Sequence, residues 1–78
     1  MKKISKEEFY SKYKKVKLKF DECYKSAVSY IGETPEGNTL GIVFKQVDDV
    51  EYEYGSVYDK DNNIIEYFEK YDEGENND

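Results

Sequence analysis

The sequence predicts an α+β fold in which one long N-terminal helix packs on a three-stranded antiparallel meander. Two observations predict it. Apolar residues repeat with a helical period through the first 31 residues, and with a period of two from residue 39 onward. At 78 residues the chain is long enough for one small domain, which we place at 1–78.

The helix is predicted to begin at Ser5, because "SKEE" has the pattern of a capping box in which Glu8 reaches back to the cap. Apolar residues then recur at alternating spacings of 4 and 3, namely Phe9, Tyr13, Val16, Phe20, Cys23, Ala27 and Tyr30. Gly32 follows as a natural terminator, so the helix is predicted over about 5–31. A strand over "KVKLKF" is the competing interpretation, but it depends on only three alternating residues.

Three strands, "TLGIVFKQV", "VEYEYGSVY" and "IIEYFEKY", are predicted to form a sheet over about 39–71. A two-residue turn at Asp48 and Asp49 would seat Glu53 opposite Phe44 on the core face, where an unpaired carboxylate is costly. We therefore predict a loop of odd length in the first hairpin. That register pairs Phe44 with Tyr54, and Lys45 with Glu53.

In the second hairpin, "DKDNN" predicts a three-residue loop with Asn62 in the left-handed region. Tyr58 then meets Ile64, and Tyr54 meets Phe68. The helix stripe is predicted to pack on Leu40, Ile42, Phe44, Tyr54, Tyr58, Ile64 and Phe68. The acidic tail 72–78 is predicted to fray.

The residue types argue against several chemistries. There is no His, and the single Cys23 has no partner for a disulfide or a catalytic pair. "DKDNN" begins like a calcium loop, but Ile64 and Lys70 stand where that loop needs Gly and Glu. We predict a protein that is not an enzyme and has no cofactor, metal or small-molecule substrate. The lack of a signal peptide or a long apolar run predicts a cytoplasmic protein without a membrane partner.

Charge is distributed unevenly along the chain. The first 31 residues hold nine Lys and four acidic residues, whereas residues 32–78 hold three Lys and fourteen acidic residues. Lys12, Lys14, Lys15, Lys17 and Lys19 resemble a nucleic-acid patch. On a helix they would spread around its solvated side, and the chain has no Arg for bidentate base contacts. Direct nucleic-acid binding is therefore the less favoured interpretation.

The outer face of the predicted sheet carries Glu51, Glu53 and Glu69 beside Tyr67, Tyr71, Val57 and Ile65. In the predicted register Glu53 and Glu69 lie opposite each other, and such a like-charge pair destabilises a sheet. Strand spacings of about 4.8 Å let two rows of carboxylates approach the charge density of a nucleic-acid backbone. The alternative is that these acids only keep a small sheet soluble.

The segments "DDVEYEY", "DKDNN" and "EYFEKYDEGE" together resemble phage-encoded DNA-mimic inhibitors, which block nucleoid proteins, CRISPR nucleases or repair enzymes. The basic first segment departs from the uniformly acidic surfaces of that class. The resemblance implies a non-enzymatic inhibitor, often dimeric, that occupies the DNA-binding surface of a basic host protein in the bacterial cytoplasm. The partner-binding residues would be Asp48, Asp49, Glu51, Glu53, Asp59, Asp61, Tyr67, Glu69 and Tyr71.

Two alternatives stay open: an antitoxin or immunity-type protein that neutralises a basic toxin, and a nucleic-acid binder that uses the Lys-rich helix. We also expect a homodimer, because the predicted helix cannot cover both faces of the sheet. The apolar residues left for a second copy would be Val43, Val47, Val57 and Ile65.

Overall fold

The computed structural model describes residues 1–72, which form a six-stranded sheet and one short helix. The elements are β1 (Lys2–Lys3), α1 (Lys6–Lys12), β2 (Lys19–Tyr24), β3 (Ala27–Glu33), β4 (Thr39–Val47), β5 (Val50–Tyr58) and β6 (Ile64–Asp72). The strand order is β1-β6-β5-β4-β3-β2. Strands β2 to β6 form one antiparallel meander, and β1 is parallel to β6. The predicted fold of one long helix on three strands is wrong, because the chain is mostly β. From residue 73 on, the predicted tail lies outside the described residues.

The helix begins as predicted and ends much earlier than predicted. The Ser5 hydroxyl accepts a hydrogen bond of 3.0 Å from the Glu8 amide, and the helix closes at Lys12. The region predicted to continue it instead forms the β2–β3 hairpin, which turns at Lys25 with φ of +55°. Pairing with β4 gives all seven residues of β3 a partner strand. Tertiary pairing of this kind outweighs helical periodicity, because an amphipathic stripe is stable only when its face is buried.

The first hairpin has the register with Glu53 opposite Phe44, which was predicted to be unfavourable. Phe44 lies opposite Glu53 and Lys45 opposite Tyr52, across a two-residue turn in which Asp48 has φ of +57°. The carboxylate of Glu53 does not stay unpaired there, because side chains of α1 reach it. The predicted odd-length loop is therefore wrong.

The prediction for the second hairpin is confirmed at the turn, but the predicted register is wrong further along the strands. Asn62 has φ of +64°, and Tyr58 pairs with Ile64 as predicted. An irregularity between Val57 and Tyr58 then shifts the ladder by one residue. As a result Tyr54 faces Glu69 instead of Phe68.

Helix α1 lies on one face of the sheet, called here the helix face; the other is called the open face. Side chains alternate between faces along each strand, and paired residues share a face. The buried core on the helix face comprises Ile4, Phe9, Leu40, Ile42, Val57 and Phe68. Tyr54 and Tyr58, which were predicted in the core, lie on the open face. Val57 was predicted on the outer face and is buried, so it cannot serve a dimer surface.

Gly55 explains why β5 presents the opposite face from the one predicted. A Cβ at Gly55 would lie 2.7 Å from Phe68, 2.8 Å from Ile42 and 2.9 Å from Phe9. The three side chains therefore pack directly on the backbone, at a point where any larger residue would collide with them. The two aromatic rings meet there with centroids 4.9 Å apart. The tyrosines of β5 consequently point away from the core.

Candidate functional site

The structure separates the nine residues predicted to bind a partner into four places. Asp48, Asp49 and Glu51 lie at the β4–β5 turn, called here the acidic tip. Glu53 lies under α1 on the helix face. Tyr67, Glu69 and Tyr71 lie on the open face, and Asp59 and Asp61 lie at the β5–β6 turn, at the other end of the strands. Nine-residue strands are about 30 Å long, so the two turns cannot belong to one small site.

The acidic tip is exposed and uncompensated. Asp48, Asp49 and Glu51 are all solvent-exposed, and no ion pair involves them within residues 1–72. Glu51 lies opposite Gln46 on one side and Asp72 on the other. The positive φ of Asp48 suits this residue type, since Asp and Asn enter the left-handed region more readily than most residues. The tip therefore concentrates negative charge where a partner can approach it.

Glu53 is a structural carboxylate. It accepts a hydrogen bond of 2.5 Å from Tyr10 Oη, and Lys6 Nζ lies 2.8 Å from its other oxygen. Burial raises the pKa of Tyr10, and the hydrogen bond to Glu53 and the charge of that carboxylate raise it further. Because both carboxylate oxygens already have partners on α1, Glu53 is poorly placed to meet a second protein.

A second carboxylate repeats this arrangement and was missed at the sequence level. Glu66 is buried, accepts a short hydrogen bond from Tyr13 and lies 2.8 Å from Lys12 Nζ. Burial by itself raises the pKa of Glu66. The hydrogen bonds from Lys12 and Tyr13, together with the Lys12 charge, outweigh that effect and leave the pKa below its ordinary value.

The predicted rows of carboxylates do not form. Glu53 is opposite Lys70, whereas Glu69 is opposite Tyr54 on the other face, so the predicted Glu53–Glu69 pair is wrong. Glu69 instead lies 3.8 Å from Lys3 Nζ in an exposed ion pair. Glu53 and Glu69 therefore do not form two continuous rows of carboxylates along β5 and β6, whereas the three acids of the acidic tip stay exposed.

The open face is rich in tyrosine. Tyr52 and Tyr71 pair across the strands with ring centroids 5.8 Å apart, and Tyr67 lies further along β6 opposite Ser56. Tyr52 is not among the residues predicted to bind a partner, because the sequence predicts that the tyrosine side of β5 faces the core. Gly55 was the available signal, since a glycine flanked by large residues in a strand often marks close approach of another side chain.

Asp59 at the far turn has a local role. Its carboxylate accepts hydrogen bonds of 2.8 Å from the Asp61 amide and 2.9 Å from the Asn63 amide. The bond from the Asn63 amide is the largest cause that lowers the pKa of Asp59; burial opposes it, and the bond from the Asp61 amide lowers the pKa further. Asp59 therefore stabilises the loop, whereas Asp61 is exposed.

A groove of about 330 Å³ lies beside the acidic tip on the helix face. Its apolar wall is formed by Val28 and Phe44, and Glu51 and Lys70 line its polar side. Within residues 1–72 no three His, Cys, Asp or Glu side chains come together in a way that would hold a metal ion. No helix in that part of the chain is long and apolar enough to span a membrane.

Comparisons with protein-family models, with curated proteins and with solved structures found no match to this chain.

Proposed function

We propose that the protein is a non-enzymatic binding protein whose acidic tip docks on a basic surface of a partner protein, of the kind that otherwise holds DNA. One observation carries the proposal. The two glutamates that pack under α1, Glu53 and Glu66, each have a lysine within 4 Å, and the exposed Glu69 pairs with Lys3, whereas the three acids of the tip have no such lysine within residues 1–72. These ion pairs neutralise the carboxylates of Glu53, Glu66 and Glu69 and leave the tip charged.

The chemistry of the tip suits such a partner. Exposed carboxylates keep their hydration and attract a basic surface over roughly 8 Å at physiological ionic strength. The Tyr52–Tyr71 pair next to the tip adds stiff aromatic contact area, which protein interfaces favour. If the chain is phage-encoded, the partner is a basic DNA-binding protein of the bacterial cytoplasm. A basic toxin would meet the same tip, so the antitoxin alternative uses the same residues.

The test compares two variants of equal charge change. The first is Asp48→Asn/Asp49→Asn/Glu51→Gln at the tip. Its matched control is Glu33→Gln/Glu36→Gln/Asp61→Asn, three exposed acids at the other end of the strands. In pull-downs from nuclease-treated bacterial lysate, the parent and the control should retain a basic protein that elutes with salt, and the tip variant should lose it. Equal retention by both variants would contradict the proposal.

Competition then separates the two classes of partner. Added duplex DNA should displace the chain from a DNA-binding protein and should leave a complex with a toxin that binds no DNA unchanged.

One observation favours a different function. Lys14, Lys15, Lys17 and Lys19 lie in the segment that leads from α1 into β2, and all four are exposed without an ion pair within residues 1–72. Beside them Phe20 offers an aromatic ring on which a base can stack. Nucleic-acid binding would appear as salt-dependent retention of labelled single-stranded DNA or RNA, lost on Lys→Gln replacement at these four positions.

A further inference from the structure

Strand β2 is an open edge of the sheet. It pairs with β3 on one side, and no strand within residues 1–72 pairs with its other side. All six of its residues are exposed. The opposite edge differs, since the two-residue β1 covers part of β6 there and brings Lys2 and Lys3 to it. Natural sheets usually protect an edge of this kind, because its unpaired amides and carbonyls accept another strand.

The charges along this edge are segregated. Lys17 lies two residues before β2, Lys19 begins the strand, and Asp21 and Glu22 follow directly after Phe20. None of the four makes an ion pair within residues 1–72, although Asp21 accepts a hydrogen bond of 3.2 Å from Ser29. A strand with this order is complementary to itself only when a second copy runs antiparallel. A parallel copy would place like charges opposite each other, which is destabilising.

An aromatic row reaches the same edge on the helix face. Phe20, Tyr30 and Phe44 lie on three neighbouring strands, with ring centroids 6.2 Å and 6.1 Å apart and the rings nearly perpendicular. Helix α1 packs against β6, which is separated from β2 by the other three strands of the meander. Phe20 is 59% exposed and Phe44 is 42% exposed. A strand added beyond β2 would cover Phe20 and continue the row.

We propose that a second copy of the chain pairs with this edge, β2 antiparallel to β2 about a twofold axis near Phe20. The β2–β3 ladder has an irregularity between Phe20 and Glu22. At such a bulge two residues lie opposite one, so Asp21 and Glu22 of each copy lie against Lys19 of the other, and the two Phe20 rings are neighbours. The two sheets join into one of twelve strands, which removes the open β2 edge from both copies. This dimer is independent of the proposed function, since β3 lies between β2 and the β4–β5 hairpin that carries the acidic tip, and the tip stays exposed.

Charge reversal in two complementary variants tests the pairing. The parent should dimerise in sedimentation equilibrium over a concentration series. Lys17→Glu/Lys19→Glu makes the strand wholly acidic, and Asp21→Lys/Glu22→Lys makes it wholly basic. Each variant alone should be monomeric, and an equimolar mixture should regain a dimer that holds one copy of each. Recovery in the mixture shows that both variants are folded.

A variant at a distant lysine serves as the control. Lys60→Glu at the β5–β6 turn should leave dimerisation unchanged. A parent that is monomeric at every concentration, or a dimer that persists in both reversed variants, would overturn the proposal.

Disulfide crosslinking checks the position of the twofold axis. In a Cys23→Ser background, single cysteines are placed at Lys19, Phe20 or Asp21 in turn. Two copies of a residue near the axis approach to a Cα separation of about 5.5 Å, within the range for a disulfide. One of the three should crosslink rapidly under mild oxidation, whereas Lys60→Cys should not. Crosslinking at residue 60 as fast as on β2 would contradict the β2 interface.

Discussion

Tyr10 Oη donates a hydrogen bond of 2.5 Å to the carboxylate of Glu53, which joins α1 to the middle of β5. Lys6 holds the other carboxylate oxygen at 2.8 Å. The same combination of tyrosine, lysine and glutamate recurs near the other end of the helix at Glu66. Two carboxylates of the sheet thus fasten a helix of only seven residues, which would be unstable in isolation.

Removing the Tyr10 hydroxyl should therefore weaken the fold. Tyr10→Phe keeps the ring, whose centroid lies 5.5 Å from that of Phe68, and leaves one oxygen of Glu53 without its donor. Hydrogen bonds to charged groups contribute about 1.5–3 kcal/mol, so we expect a loss of about 1–2 kcal/mol because Lys6 remains. Urea unfolding measures it. Tyr71→Phe is the matched control, since Tyr71 is exposed and should change the free energy of unfolding by less than about 0.5 kcal/mol.

Gly55 should tolerate no side chain. Gly55→Ala would place a methyl group within 3 Å of three core side chains, two of them aromatic rings packed from both α1 and β6. Overpacking of this kind costs about 1–3 kcal/mol. Gly41→Ala is the control, because its Cβ would meet only a backbone oxygen at 4.0 Å. Thermal unfolding should give a lower Tm for the first variant and a nearly unchanged Tm for the second; equal effects would contradict the packing described at Gly55.

Gly55 also shows what could not be predicted from the sequence, namely which face of β5 lies in the core. Period-two alternation correctly located β4, β5 and β6, and turn chemistry correctly located Asn62 in the left-handed region. Alternation alone does not say which face is the core, and the large tyrosines of β5 outweighed the small Gly55 in that choice. The close packing of aromatic rings on Gly55 can be predicted only when it is known that α1 and β6 place Phe9 and Phe68 against it.

The long predicted helix failed for a related reason. The stripe from Phe9 to Tyr30 has helical spacing, but the same residues include Val16, Phe20 and Tyr30, which also suit strands. The choice depends on whether a partner strand is available, and β4 provides one. The sequence likewise argues against the register that places Glu53 on the core face. The hydrogen-bond donor that makes this register acceptable is Tyr10 on α1, 43 residues away in the sequence.

Stability should fall on both sides of neutral pH. The pKa of Glu66 lies below 4.5 in the folded state, so its contribution is complete above 4.5 and is lost as the pH falls through the folded pKa. The pKa values of Tyr10 and Tyr13 are raised above 10.0, mainly by burial and then by their bonds to the glutamates. Their contribution is complete below 10.0 and is lost at higher pH.

Glu66→Gln isolates the acid side of this profile. The variant should be less stable than the parent at neutral pH and should lose less stability on acidification below 4.5. Part of the acid loss should remain, since the pKa of Asp59 is also lowered, chiefly by the Asn63 amide. Urea midpoints measured from pH 3 to pH 11 test this, with Asp61→Asn as the control that keeps the parental profile. If the urea midpoint of Glu66→Gln fell as steeply below pH 4.5 as that of the parent, the role given to Glu66 would be refuted.

Glu51 and Glu53 point from the same face of β5, two residues apart, yet they should respond to the same substitution in opposite ways. Glu53→Gln weakens bonds from Tyr10 and Lys6, so it should cost about 1–2 kcal/mol of stability. Glu51→Gln removes an exposed charge that has no ion pair within residues 1–72, so stability should change by less than about 0.5 kcal/mol. Binding should show the reverse order. Glu51→Gln should weaken binding of a captured basic partner and reduce the salt dependence of the affinity. Glu53→Gln, measured at a temperature where it is folded, should bind as the parent does.

Isothermal titration at two salt concentrations measures the affinity, and urea unfolding of the same samples measures the stability. If Glu53→Gln lost binding while Glu51→Gln kept it, the partner would contact the helix-covered face, and the acidic tip would be the wrong surface.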